Sequence, residues 1–363
     1  MKKKILLFTS GEVGGAERIT LAIAKILNKE YFDIKIIITS SPNCPLSKFV
    51  PNDIPVIYLS EKHIRWNCLM KIKKMLKEEK PDYAFSSITF VILQILIICK
   101  FFDKDIKPII RGQINPHYWT QYKGKLRIKG WMVEKVNSLL YPTAYKVIAQ
   151  TPTMKEGMIR YFRVKPEKCF CLYNPIDKNN IDIKIKDNNP FPTKNAKTYR
   201  YVAVGRCQYQ KGYDLLIQAA QKVVHFNPDS HIYIIGTIYN DTYGNQLKEL
   251  CKKLKLESNI HFTNFQTNPY KFIKYADCFV LSSRDEGLPN VLIEATYLQR
   301  QAIAYTCIPI ITDIIQDGIN GLLVEPQNID KLAEAMIKIQ SLNLNTTSLY
   351  KPADDYEFNN LFS

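Results

Sequence analysis

Twice along this chain, short apolar runs alternate with stretches of helical periodicity, and this repeat constrains the fold more than any other feature. In the first half Lys4–Thr9, Ile34–Thr39, Val56–Leu59, Tyr83–Ser86, Pro108–Ile110 and Lys146–Ala149 read as strands, with helical patterns such as Leu69–Lys80 and Arg127–Leu140 between them. The alternation restarts with strands at Tyr201–Val204, His231–Ile235, Asn259–Thr263, Cys278–Leu281, Ala302–Tyr305 and Leu322–Val324. Helices fit there at Tyr213–His225, Gln246–Lys255 and Ile329–Gln340. Strands alternating with helices predict an α/β fold with parallel sheets covered on both faces. At 363 residues the chain is long enough for two such sheets, each with its own core. Between them Lys178–Thr198 is rich in Asn, Lys, Pro and Asp and reads as an irregular surface connection. The expected division is a domain over residues 1–177, a second over 178–340 and a polar tail over 341–363.

Three loops in this framework carry chemistry. The first strand runs into Ser10-Gly11-Glu12-Val13-Gly14-Gly15-Ala16-Glu17-Arg18 and a helix to about Leu27, the opening of a Rossmann-like unit. Its glycines are not spaced as G-x-G-x-x-G, which argues against a nicotinamide dinucleotide. After Tyr201–Val204 comes Gly205-Arg206-Cys207-Gln208-Tyr209-Gln210-Lys211-Gly212. Two cations five apart at a strand's C-terminal end, the edge where such sheets bind ligands, can reach one diphosphate together.

The third loop follows Cys278–Leu281 and runs from Ser282 to Glu294, with Glu286 in the loop, Pro289 opening a helix and Glu294 inside it. A helix N-terminus attracts phosphate, Gly287 lets a ligand approach the backbone, and carboxylates accept hydrogen bonds from sugar hydroxyls. The combination suits a sugar linked to a diphosphate. The plainer alternative is a solvated basic loop beside two solvated glutamates.

Glu286-(seven residues)-Glu294, with Gly287, Leu288, Pro289 and Asn290 between, resembles the paired-glutamate motif of retaining, nucleotide-sugar-dependent glycosyltransferases (family 4, group 1, GT-B fold). Gly14-Gly15-Ala16-Glu17-Arg18 is similar to that family's first loop, and Gly205-Arg206 with Lys211-Gly212 to its diphosphate element. Tyr173-Asn174-Pro175-Ile176-Asp177 resembles its interdomain boundary. The likeness covers most of the chain and is best in Arg200–Pro326.

The resemblance implies two Rossmann-like domains facing across a cleft and a nucleotide-sugar donor, a UDP- or GDP-sugar. It implies Glu286 on the donor sugar, Glu294 on the ribose, Arg206 and Lys211 on the diphosphate, and Gly14 and Gly15 closing over the donor from the opposite domain. Glu286, Arg206 and Lys211 are the catalytic candidates. Gly287, Leu288, Pro289 and Asn290 complete the donor contacts. The expected work is transfer to a glycan or lipid-linked acceptor in cell-surface polysaccharide biosynthesis.

Two departures from the family pattern stand out. Tyr83-Ala84-Phe85-Ser86-Ser87 lacks the histidine common at that strand end, although His117 follows in the next loop. The late turn Tyr305-Thr306-Cys307-Ile308-Pro309-Ile310 has no glycine. They motivate a second expectation, a catalytically silent binding subunit of the same fold.

Charge is unevenly placed. Residues 1–177 hold 30 Lys and Arg against 15 Asp and Glu, whereas 178–363 hold 20 against 19. The basic half should face an anionic partner. Lys123, Lys125, Arg127 and Lys129 lie beside Tyr118, Trp119, Tyr122 and Trp131, which suits an anionic membrane surface, or a merely solvated helix face. With no RNA- or DNA-binding motif, nucleic acid is not an expected partner. The apolar stretch Ile88–Phe102 is too short to span a bilayer and carries Lys100, so a buried helix is expected.

Nine cysteines without a C-x-x-C pair fit a reduced, cytoplasmic protein, peripheral on the inner face of the membrane. No cofactor or metal is expected. Asp103-Lys104-Asp105 is wedged between lysines, and the five histidines (His63, His117, His225, His231, His261) show no ligand spacing.

Overall fold

The computed structural model describes residues 2–59, 68–112 and 125–362, excluding the side chains of 125–130. Seven strands form the first sheet: Lys3–Thr9 (β1), Phe32–Ile38 (β2), Val56–Tyr58 (β3), Tyr83–Ser86 (β4), Lys107–Arg111 (β5), Lys146–Ala149 (β6) and Cys169–Cys171 (β7). Every pairing is parallel, in the order β3-β2-β1-β4-β5-β6-β7. The crossovers are Gly15–Ile26 (α1), Cys68–Glu79 (α2), Thr89–Phe101 (α3), Lys125–Leu140 (α4) and Pro152–Phe162 (α5).

Alternation along β1 shows why this sheet is covered on both faces. Ile5 and Leu7 join the core beneath α1, Leu6 and Phe8 the core beneath α2 and α3, and all four are fully buried. The apolar stretch expected as a buried helix is α3, whose Val91, Ile92, Ile95 and Leu96 are buried. None of the described helices is long and apolar enough to cross a membrane.

The second sheet has six strands: Tyr199–Val204 (β8), Ser230–Ile235 (β9), Ile260–Phe262 (β10), Cys278–Leu281 (β11), Ala302–Tyr305 (β12) and Gly321–Val324 (β13). They are again all parallel, in the order β10-β9-β8-β11-β12-β13. The helices are Lys178–Lys184 (α6), Tyr213–Phe226 (α7), Thr242–Lys253 (α8), Tyr270–Tyr275 (α9), Asn290–Tyr297 (α10), Ile311–Ile314 (α11) and Ile329–Ile339 (α12), with Asp355–Leu361 (α13) closing the chain. The nine cysteines form no disulfide.

Two sequence expectations need correction. The connection after residue 177 is not wholly irregular: Asp177 accepts a hydrogen bond from the Asn180 amide and caps α6, which buries Ile181. The tail from 341 is not a separate polar segment. The chain divides into Met1–Ile176 with Pro352–Ser363, and Asp177–Lys351, so its last part belongs to the first unit. Asp354 and Glu357 form a capping box at the start of α13. Phe358, Leu361 and Phe362 are buried in the first core, Phe362 edge-on to Tyr83 at 5.5 Å. Three apolar residues on one helical face suffice to anchor a segment whose composition reads as polar.

Candidate functional site

Strands β8 and β11 are neighbours, so the loops leaving their C-terminal ends lie side by side. These are the Gly205–Gly212 and Ser282–Pro289 loops, and hydrogen bonds join them. Ser282 Oγ donates to the Lys211 carbonyl at 3.0 Å, the Arg284 amide to Gln210 O at 2.8 Å, and Gln210 Nε2 to Asp285 O at 2.9 Å. Gly212 sits at φ +63°, and a Cβ there would lie 2.1 Å from the Ser282 carbonyl oxygen. Only glycine permits both that conformation and that approach.

This zipping brings Lys211 to Glu286. Lys211 Nζ donates to Glu286 Oε1 at 2.7 Å, and Ser283 Oγ donates to the same oxygen, also at 2.7 Å. Glu286 is buried and Lys211 half-buried, so the pair sits where solvent screens it weakly. Oε2 of Glu286 accepts no hydrogen bond among the described residues and remains available to a hydroxyl. Arg206, in the same loop, is exposed and makes no side-chain hydrogen bond or ion pair among the described residues. Of the two predicted cations, one is thus held by a carboxylate and the other is open.

Glu294 lies in the second turn of α10, half-buried, and accepts a hydrogen bond from the Tyr270 hydroxyl at 3.3 Å. Pro289 stands at the N-cap, one residue ahead of the helix it was expected to open, and Asn290 is the first helical residue. Gly287 is half-buried and Leu288 buried. In the first unit, Gly14 caps α1 and Gly15 begins it. Ser10 Oγ donates to Glu17 Oε1 at 2.6 Å, and the Glu17 carboxylate folds back onto Gly14, where an added Cβ would lie 2.5 Å from Oε2. His117 and the Tyr118–Lys123 segment lie outside the described residues, as do the side chains of Lys125, Arg127 and Lys129.

Sequence reasoning missed the residues that hold this site in shape. Arg284 donates to both carboxylate oxygens of Asp214, at 2.8 and 2.6 Å, and to Tyr209 O at 2.8 Å. Its guanidinium lies 3.9 Å over the Tyr209 ring. Burial pushes the Asp214 carboxyl up, but the hydrogen bonds from Arg284 and Tyr243 outweigh it and leave it below its usual value. Asp285 is buried, and burial together with neighbouring Glu286 raises its carboxyl to about 6 against a backbone hydrogen bond that lowers it. The Cys307 thiol, on the glycine-free late turn, is pushed up by burial and by Glu286 and Asp285, which places it beside the same carboxylates. Only Asp214 carried a signal, an acid in the first turn of a helix that follows a glycine loop.

Two family models match this chain side by side: Glycosyltransferase Family 4 over residues 13–180 and Glycosyl transferases group 1 over residues 184–353. The chain belongs to this glycosyltransferase family. An uncharacterized glycosyltransferase of Methanocaldococcus jannaschii is 28% identical over 250 residues, 65% of this chain and 58% of that protein. The N-acetylgalactosamine-N,N'-diacetylbacillosaminyl-diphospho-undecaprenol 4-alpha-N-acetylgalactosaminyltransferase of Campylobacter jejuni is 26% identical, over 92% of this chain and 89% of that protein. A capsular polysaccharide biosynthesis glycosyltransferase of Staphylococcus aureus is 25% identical, over 88% and 83%. Among solved structures, Anabaena HepE in complex with UDP-glucose superposes with a TM-score of 0.76 at 16% identity, covering 99% of this chain and 98% of that one. The glycosyltransferase fold expected from the sequence, with two Rossmann-like units, therefore holds.

Proposed function

We propose that this protein is a retaining glycosyltransferase that moves a sugar from a UDP- or GDP-sugar to a glycan or lipid-linked acceptor in surface-polysaccharide biosynthesis. The observation that carries the reading is the cluster at the ends of β8 and β11. There an open Arg206 and a Glu286-paired Lys211 share one loop, and a carboxylate oxygen stands beside them with no partner among the described residues. Support from outside the chain comes from the Campylobacter relative, named for a diphospho-undecaprenol-linked acceptor, and from HepE, whose structure holds UDP-glucose.

In the proposed reaction the anomeric carbon–oxygen bond breaks and its electron pair goes to the leaving phosphate oxygen. The acceptor hydroxyl attacks from the same face and its proton passes to that oxygen, so no side-chain base is required. Arg206 and Lys211 meet the charge that grows on the diphosphate, in place of a metal. Glu286 orients the sugar hydroxyls and Glu294 the ribose. The same reading places the protein in the cytoplasm, peripheral on the inner face of the membrane and held there through its basic first half.

Thermal-shift titration against UDP, GDP and their sugars, followed by transfer and hydrolysis assays in EDTA, tests this. Nucleotide should raise the melting temperature, Arg206→Ala should weaken binding by about 1.5–3 kcal/mol, and turnover should survive the chelator. Binding without turnover across a broad panel of donors and acceptors would favour the silent-subunit reading. No binding of any nucleotide would end both.

A further inference from the structure

Arg284 stands two residues before Glu286, a place from which a third cation could serve the same anion. Its geometry commits it elsewhere. Nη1 and Nη2 take both carboxylate oxygens of Asp214, Nη1 also reaches Tyr209 O, and the Tyr209 ring covers the guanidinium at 3.9 Å. The side chain is only 12% exposed, and Nε is buried with no hydrogen-bond partner among the described residues. A buried donor left unpaired costs free energy, so the orientation is imposed by the other contacts. The fork is engaged by the protein and not turned toward a substrate.

What these contacts hold in place is Lys211. Arg284 grips the chain on both sides of it. Before Lys211, it binds the Tyr209 carbonyl through Nη1 and the Gln210 carbonyl through its own amide, each at 2.8 Å. After Lys211, it binds Asp214 in the first turn of α7. Ser282 Oγ binds the Lys211 carbonyl itself, and Glu286 receives the Lys211 ammonium. Arg206 stands outside this grip, because the amide of its neighbour Cys207 is tied to Thr237 O in the loop after β9, at 2.9 Å. We propose that Arg284 is a positioning residue for the transfer reaction, acting through Lys211, which it sets against Glu286 and the diphosphate. The inference rests on the donor reading above and adds to it a residue that does not touch the donor.

Double-mutant cycles in kcat test this. Arg284→Gln should lower kcat by about 10²-fold, the scale of an ångström's misplacement of a reacting group. In the Lys211→Gln background the same change should cost less than about twofold, because the group it positions is already gone. In the Arg206→Ala background its effect should stay near about 10²-fold. Its cost in melting temperature should be the same in all three backgrounds, since the contacts of Arg284 to Asp214 and Tyr209 are lost alike in each. If the protein binds nucleotide without turnover, the same cycles are read in the Kd for UDP and GDP, with the same pattern expected. Should Arg284→Gln show no native melting transition, Tyr209→Ala replaces it, at a ring that is 56% exposed. That variant should lose several-fold in kcat, and the loss should vanish in the Lys211→Gln background. Equal losses in every background would overturn the inference and leave Arg284 a structural brace, with the donor reading standing. Wild-type protein that neither turns over nor binds nucleotide would remove the donor reading and this inference with it.

Discussion

The two units begin alike, each with a buried strand running into a glycine loop and a helix, yet the two loops treat charge in opposite ways. In the first, β1 leads to Gly14 and α1, and the chain's own Glu17 carboxylate turns back onto the helix N-terminus, held by Ser10. In the second, β8 leads to Gly212 and α7 through a loop that carries Arg206 open to solvent and Lys211 against Glu286. A helix N-terminus already facing a carboxylate has little left to offer a phosphate. A loop with one unpaired cation and one shared cation has a great deal. The same supersecondary unit thus yields a self-satisfied loop in one place and, in the other, a loop with an open cation that the proposed reading assigns to the diphosphate, by the choice of one or two side chains.

This contrast can be broken most directly through turnover. Lys211→Gln should lower kcat by about 10²–10³-fold, roughly 3–4 kcal/mol of lost stabilisation of the departing diphosphate. Glu17→Gln, its counterpart in the first loop, keeps the Ser10 contact and should cost less than about tenfold, or ~1.4 kcal/mol. Equal losses in steady-state assays would erase the distinction.

Backbone demands sharpen it next. Gly212→Ala must hold φ near +63° and displace a carbonyl oxygen 2.1 Å from its Cβ, so a loss of about 3 kcal/mol or more is expected in denaturant titration. Gly14→Ala meets only the far end of the Glu17 side chain and should cost less than about 1 kcal/mol. Comparable midpoints for the two variants would contradict the geometry.

The smallest expected effect concerns pH. Asp285 is raised from 3.8 to about 6 in the folded protein, so folding favours its protonated form. Its contribution is fully present below about pH 4 and is lost as pH rises through about 6, up to ~2–3 kcal/mol. Asp285→Asn should therefore be more stable than wild type at pH 8 and nearly indistinguishable at pH 4. A pH-independent difference in melting temperature would show that ionisation is not the cause.

The sheets were legible because strands buried on both faces leave near-continuous apolar runs. Tyr83–Ser86, Lys146–Ala149, Cys278–Leu281 and Ala302–Tyr305 fall where the sequence puts them. The ends of the chain's polar stretches were not legible. α6 depends on one capping aspartate and one buried isoleucine, and α13 on three apolar residues whose partners Phe32, Tyr83 and Phe85 are distant in sequence. In the candidate site, motif residues could be named in advance because their chemistry shows in their spacing. Arg284 and Ser282 could not, because their role is to bridge two loops some 70 residues apart. Such a pairing exists only once β8 and β11 are neighbours.

The return of α13 to the first unit has a consequence for the order of synthesis. A ribosome finishes residues 1–176 early, but the piece that covers Phe32, Tyr83 and Phe85 emerges only after the entire second unit has been made. The unit begun first is the one completed last, and its aromatic face must wait uncovered while some 175 further residues are threaded out. At about 5–20 residues per second that wait is roughly ten to thirty-five seconds. For that interval the aromatic patch stays exposed on the nascent chain, until residues 352–363 emerge to cover it.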